Sequence, residues 1–242
     1  MIERFAIVGI VLASLAATAC APDENEAVDY ISRFGGPERR WTPRLGLPVK
    51  PQKRPAMLIY EVSRFPDAVA TEEQRMAAEA FREASMLAAV QNGWYDFEVA
   101  ARSGYQLMFS DDAHYVNEEY VFDDVVLDPT RPEFLMYYRT SRGMSLVGFM
   151  FYVADPSHRG EQLGGPLTTW HFHVWSRPQC LLSGLLAVDV PNLAGECARG
   201  EPSVRSPEML HVWLVDHPEG PFATRMRIAP EVLERLITAR GF

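Results

Sequence analysis

Two segments of the chain alternate with a period of two residues, and both contain the letters HVW. Residues 168–176 read TTWHFHVWS and residues 209–216 read MLHVWLVD. Successive side chains of a strand point to opposite faces of its sheet. His171 and His173 therefore share one face of the first segment, and His211 holds an equivalent position in the second. The pattern predicts two strands whose imidazoles converge if the strands lie in one sheet or face each other across a barrel.

Periodicity along the rest of the chain predicts an α+β fold. The capping-box sequence TEEQ at residues 71–74 starts a helix that ends near Asn92, and Asp96 caps a second helix. A last helix is predicted at residues 230–240. Strands are predicted at residues 105–110, 134–138, 144–153, 168–176 and 209–216. We expect an N-terminal helical hairpin packed on a mainly antiparallel β-sandwich or barrel, followed by a C-terminal helix.

The beginning of the chain has the pattern of an export signal. Residues 5–15 form an apolar run with the length of a signal-peptide core, which is short for a membrane span. Small residues follow and lead to Cys20, a pattern typical of the site at which a bacterial lipoprotein is cut and lipidated. The sequence ATA at residues 17–19 would also suit an ordinary signal peptidase. We expect residues 1–19 to be a signal peptide and Cys20 to carry a lipid.

After cleavage, the chain is expected to consist of a tether and one domain. Residues 20–56 are polar and rich in proline and glycine, as linkers are. Residues 57–242 are long enough for a single hydrophobic core. The expected location is the cell envelope, in the periplasm at the outer membrane, with the lipid on Cys20 as the membrane contact. The net charge of −9 argues against nucleic acid as a partner, because phosphate binding needs a basic surface.

The sequence contains three cysteines. With Cys20 assigned to the anchor, Cys180 and Cys197 remain. A pair of cysteines in an oxidising compartment most simply forms a disulfide. The alternative is that Cys180 is a metal-binding thiolate.

The histidines are the candidate metal ligands. A His-x-His strand offers two nitrogens from one rigid element, and His211 would supply a third from a second strand. His114, predicted in a loop, is the fourth candidate. Zn²⁺ or Cu is the expected ion, and the nearby thioether of Met209 is a weak pointer to copper. Three ligands with an open position would permit hydrolysis by a metal-bound water, whereas four would serve storage, delivery or structure.

Two other interpretations stay open from the sequence. The histidines, together with Trp175 and Trp213, would line a small-molecule pocket in a non-catalytic envelope lipoprotein. Alternatively, the histidines have a structural role and bind backbone carbonyls. Glu118 or Glu119 is the candidate general base of an enzyme, and His217, beside a proline, is predicted to be exposed.

One part of the histidine segment resembles the first cupin motif. Gly165 is followed, after five residues, by His171-Phe172-His173. The glutamate that cupins carry four or five residues after the second histidine is replaced here by Arg177 or Pro178. The resemblance implies a β-barrel with inward histidines but gives no support for iron-oxygenase chemistry.

A broader resemblance covers residues 75–225. The words HYVN (114–117), DPTRPE (128–133), WHFH (170–173) and LHVW (210–213) are similar to those of an uncharacterised family of exported bacterial proteins. That resemblance implies one coherent domain. It places all four candidate histidines within words that such proteins share, and it carries no established activity.

Overall fold

The computed structural model of the 242-residue chain describes residues 57–62, 69–109, 111 and 113–239. The predicted signal peptide, the tether and the lipidation site Cys20 lie outside the described residues. Within the described part, no helix is long and apolar enough to cross a membrane.

The described residues form four α-helices: α1 (Glu72–Gln91), α2 (Phe97–Arg102), α3 (Glu118–Val121) and α4 (Pro230–Ala239). The predicted capping box is present at α1, where the Thr71 hydroxyl accepts a hydrogen bond from Gln74 N and the Gln74 side chain accepts one from Thr71 N. Asp96 caps α2 as predicted. Helix α3 was not predicted, because its four residues are too few to show a helical period.

Nine strands form one sheet with antiparallel pairing. The strands are β1 (Met57–Val62), β2 (Gln106–Leu107), β3 (His114–Val116), β4 (Phe134–Thr140), β5 (Gly143–Tyr152), β6 (Trp170–Leu182), β7 (Leu186–Asp189), β8 (Glu201–Arg205) and β9 (Met209–Trp213). Their order is β1-β6-β9-β5-β4-β3-β2, with β7 and β8 also paired to β6. The mixed class of helices and antiparallel sheet is therefore confirmed.

The barrel alternative is wrong, because the sheet is not closed. Strands β1 and β2 stand at its two ends, and the described residues show no pairing between them. Strand β2 has only two residues where a strand over 105–110 was predicted. So short a strand offers little backbone for a further ladder, which leaves this edge open.

The two faces of the sheet pack against different partners. One face, which we call the α1 face, packs on α1 and α2 through ring contacts such as Phe81 of α1 with Phe151 and Phe97 of α2 with Tyr137. The other face contacts α4 through Leu233. We call it the histidine face, because His114, His171, His173 and His211 project from it together with Phe134, Met136, Met150, Met209 and Trp213.

The predicted disulfide is confirmed. Cys180 at the end of β6 is bonded to Cys197, seventeen positions later in the chain. Cys180 is fully buried and is not available as a metal-binding thiolate.

Removal of the disulfide by Cys197→Ala should lower the free energy of unfolding by about 3 kcal/mol, because the unfolded chain regains the freedom of a loop of this length. Urea denaturation would measure this loss. Wild-type protein kept under reducing conditions should unfold at the same urea concentration as the variant. An unchanged midpoint for Cys197→Ala would contradict the prediction.

Candidate histidine site

Four histidines gather on the histidine face. His171 and His173 come from β6, His211 from the neighbouring strand β9, and His114 from β3. The ring centroids of His171 and His211 lie 4.5 Å apart, those of His171 and His173 5.6 Å apart, and those of His114 and His211 5.5 Å apart. The rings thus form one contiguous cluster, as the alternation of β6 and β9 predicts.

The convergence of His171 and His211 follows from strand pairing. His171 lies opposite Met209 in the ladder between β6 and β9. His211 stands two residues further along β9, on the same face as Met209. The two imidazoles are therefore diagonal neighbours, a relation that lets ring side chains touch.

His114 reaches the cluster because the sheet is strongly bent. Two strands, β4 and β5, separate β3 from β9, so a flat sheet would hold His114 and His211 about 14 Å apart. The bend coincides with a β-bulge, a register shift next to Met136 that leaves Val147 without a partner in β4. His114 was predicted in a loop, and the structure instead places it at the start of β3.

A glycine lies beside the bulge. A Cβ atom added at Gly148 would lie 2.3 Å from the methyl carbon of Met136 and 2.7 Å from the carbonyl oxygen of Val212. The side chain of Met136 therefore occupies the space over Gly148, where any other residue would project.

The cluster is shielded from water. His171 and His211 are 0% and 1% exposed, and His114 is 5% exposed, whereas His173 is half-buried at the outer side. Burial, reinforced by the neighbouring imidazoles, lowers the pKa of His171 and His211 well below the usual range, and burial lowers the pKa of His173 to about 4. These three imidazoles are neutral at pH 7, which is the form that binds metals.

Hydrogen bonds orient two of the rings. His114 Nδ1 lies 2.9 Å from Asp111 Oδ2, and His211 Nδ1 lies 3.3 Å from the carbonyl oxygen of Ala223. In a neutral ring an acceptor beside Nδ1 keeps the proton there, so Nε2 of His211 carries a lone pair; Asp111 holds the orientation of the His114 ring.

Four ring nitrogens in this cluster are buried without a hydrogen-bond partner: Nε2 of His114, Nε2 of His211, and both nitrogens of His171. The carbonyl of Thr169 lies near the ring of His171 and interacts with it weakly, outside the geometry of a regular hydrogen bond. Buried polar atoms are normally paired, so this concentration of unpaired ring nitrogens marks the cluster as unusual.

Asp111 is a site residue that the sequence analysis missed. Burial acts to raise its pKa, but His114 and the backbone N–H groups of Ala113 and His114 hold the pKa well below its usual range. Its carboxylate is therefore ionised and orients His114. The short spacing Asp-x-x-His was the available signal.

Glu61 was missed because β1 was not predicted. It lies directly opposite His171 in the ladder between β1 and β6 and accepts a 2.8 Å hydrogen bond from the Thr224 hydroxyl. An exposed carboxylate thus stands beside the buried cluster.

Other predicted residues have different surroundings. Glu118 accepts a 3.4 Å hydrogen bond from Gln106 Nε2 at the surface, and Glu119 is exposed. The prediction that His217 is exposed is wrong, since it is 6% exposed and its ring lies 4.5 Å from that of Trp213.

A second buried acid, Glu133, lies near the end of the DPTRPE word. It is 3% exposed, and its Oε2 atom has no hydrogen-bond partner. Burial, with smaller contributions from the charges of Asp123 and Asp128, raises the pKa of Glu133 well above the usual range. Glu133 therefore keeps its proton up to a higher pH in the folded protein than in the unfolded chain.

Stability should fall as the pH rises above the ordinary glutamate pKa of about 4.3, because the unfolded chain ionises Glu133 more readily than the folded one. Glu133→Gln removes that difference. The variant should exceed the wild type in free energy of unfolding by on the order of 1–3 kcal/mol at neutral pH, with a smaller gain at pH 5. Denaturation at a series of pH values tests this, with exposed Glu83→Gln as the control. A variant less stable than the wild type at pH 8 would contradict it.

The cluster does not have a preformed coordination geometry. Across the described residues, no three His, Cys, Asp or Glu side chains have their donor atoms already arranged for a metal ion. No model of a known protein family, no curated protein and no solved structure matches the chain.

Proposed function

We propose that this is an exported, lipid-anchored protein that binds a transition metal, Zn²⁺ or Cu, through His171, His173, His211 and His114. The observation that carries the proposal is the group of four buried, unpartnered ring nitrogens within one cluster of imidazoles.

Such an arrangement is costly for the folded protein. Each buried polar atom without a partner costs on the order of 1–3 kcal/mol, and several such atoms together form a large penalty. Apolar side chains of similar size would avoid this cost. A metal ion would bind one lone pair from each of these rings, because it binds the unprotonated imidazole nitrogen.

The separations between neighbouring rings fit this role. Two imidazoles bound to one tetrahedral ion have ring centroids about 5 Å apart, since each metal–nitrogen bond is about 2 Å long. The separations here are 4.5, 5.5 and 5.6 Å. Rotation of the rings about their Cβ–Cγ bonds, with the strands in place, is the movement that would turn the lone pairs towards a common point.

The same separations favour an ion over an organic ligand. Rings 4.5–5.6 Å apart are in contact, which leaves no room for a small molecule between them. A small-molecule pocket between the histidines and Trp213 is also disfavoured, because the Trp213 indole is fully buried and donates a 2.7 Å hydrogen bond to Ala223 O.

The role we propose is metal binding and not hydrolysis. Glu118 gives no support for a general base, since its carboxylate is engaged with Gln106 at the surface. The three most buried histidines would hold the ion, and half-buried His173 would lie on the route to solvent and complete the set of four.

The disulfide and the start of the chain support a location in the cell envelope. The Cys180–Cys197 disulfide is typical of an oxidising compartment such as the periplasm. Together with the signal-like residues 1–19 and Cys20, it favours a lipoprotein of the outer membrane. We further infer that α1 and α2 form a hairpin covering one layer of a sandwich-like sheet.

Elemental analysis tests the proposal. The full-length chain, purified in detergent and loaded with Zn²⁺ or Cu, should retain about one equivalent of metal. The double variant His171→Leu/His211→Leu should retain none, and His158→Ala, which alters an exposed histidine, should match the wild type. Wild-type protein that retains no metal would overturn the proposal and favour a structural role for the histidines.

A further inference from the structure

Methionines stand directly opposite the three most buried histidines. The cross-strand pairs are His171 with Met209, His211 with Met150, and His114 with Met136. Residues directly opposite on antiparallel strands share a face, with their Cβ atoms about 4.5–5.5 Å apart. Each buried imidazole therefore has a thioether within reach.

These methionines are deeply buried in one cluster. Met136, Met209 and Met150 are 0%, 1% and 2% exposed, and all three belong to the core of the histidine face. Met136 already has a packing role over Gly148. Met150 and Met209 flank His171 and His211, the two rings in closest contact.

The donor set carries no charge. An imidazole that binds an ion through its lone pair is a neutral ligand, and a thioether is always neutral. The cost of burying an ion grows with the square of its charge, so a divalent ion would pay about four times the desolvation penalty of a monovalent one. Two carboxylates lie near this donor set, and both have other partners. That of Asp111 is hydrogen-bonded to His114 Nδ1, and that of Glu61, exposed beside His171, accepts a hydrogen bond from the Thr224 hydroxyl. A site of this kind favours a singly charged ion.

Ligand softness points to the same ion. Thioether sulfur selects Cu(I), whereas Zn²⁺ is bound by thiolate, imidazole and carboxylate. We propose that the metal is copper in the Cu(I) state, bound by the imidazoles of His171 and His211 together with a thioether from Met150 or Met209. This inference rests on the proposed metal-binding function and names its ion.

Competitive titration of the full-length protein tests the inference. Cu(I) would be added anaerobically against a chromogenic Cu(I) chelator, and Zn²⁺ against a zinc indicator. The wild type should bind Cu(I) at least about a hundredfold more tightly than Zn²⁺. Met150→Leu/Met209→Leu should weaken Cu(I) binding by about tenfold or more and leave Zn²⁺ binding nearly unchanged.

The variants separate the two proposals. Leucine has nearly the volume of methionine, so the double variant should fold, and Met144→Leu, on the α1 face, is the matched control. X-ray absorption should show copper–sulfur scattering in the wild type and none in the double variant. If the protein bound neither Cu(I) nor Zn²⁺, the metal site itself would be overturned. Tighter Zn²⁺ than Cu(I) binding, or Cu(I) binding that the double variant leaves unchanged, would overturn only the copper–thioether inference.

Discussion

Replacing His171 with leucine is expected to stabilise the metal-free protein and to abolish metal binding. His171 is fully buried, and neither of its ring nitrogens has a hydrogen-bond partner. Leucine fills a similar volume without polar atoms, so the free energy of unfolding should rise by on the order of 1–3 kcal/mol. The ring of His171 contacts both His173 and His211, and its removal takes away the central ligand.

The substitution should raise the stability of the metal-free protein but remove the stabilisation by metal, and these two effects can be measured separately. Denaturation would be followed after chelation and again with metal present. Metal at a hundredfold excess over its dissociation constant should stabilise the wild type by about 2.7 kcal/mol and the variant not at all. His158→Leu, at an exposed position, should behave as the wild type. A metal-free His171→Leu protein less stable than the wild type would mean that the imidazole has a structural role.

The sequence predicts the parts of the site that depend on local patterns. Strict alternation in residues 168–176 and 209–216 places His171, His173 and His211 on one face, because strand geometry has a fixed period. The capping box at Thr71 and the disulfide of Cys180 likewise follow from residue type and spacing.

Features that depend on distant pairing could not be predicted. Strand β6 continues past the expected end at Ser176 because β8 pairs with its second half. The ladder with β8 shifts register between Val174 and Gln179, and Pro178 lies within that irregularity, where a proline is tolerated. Strand β3 has only three residues and forms because β4 offers it a partner. No period is detectable in so short a segment, so His114 could not be placed on a strand.

The meeting of His114 and His211 required knowledge of the curvature of the sheet. The curvature follows from the bulge at Val147 and from the space that Gly148 leaves for Met136. A glycine in a strand signals a bulge or a close approach without saying which side chain will fill the space. The role of Asp111 could have been predicted from its spacing of three residues from His114. The structure gives that spacing its significance, because the two side chains are hydrogen-bonded.

Gly160→Ala is expected to cost about 3 kcal/mol or more of stability, the upper range for overpacking a core. An added Cβ would lie 2.0 Å from Cδ2 and 2.1 Å from Cε2 of Trp170. The indole has little freedom to move, because it is fully buried and its Nε1 donates a 2.8 Å hydrogen bond to Glu161 O.

The same substitution should weaken metal binding, although Gly160 belongs to neither histidine strand. Its N–H donates a 2.9 Å hydrogen bond to the buried carboxylate of Glu208, which also pairs with Arg159. Trp170 directly precedes His171, and Glu208 directly precedes Met209. Gly160 thus contacts the first residue of β6 and the residue before β9, and a shift of either strand would separate the imidazoles.

Thermal denaturation and metal titration of Gly160→Ala would measure both effects. Gly195→Ala is the control, because its Cβ meets nothing within 4 Å and it bears only the strain of a positive φ of 83°, about 1 kcal/mol. Adding Trp170→Phe to Gly160→Ala should restore part of the lost stability, since the smaller ring relieves the contact. A Gly160→Ala protein as stable as the Gly195→Ala control would show that the indole can move aside, and the strand ends would then not be held by this contact.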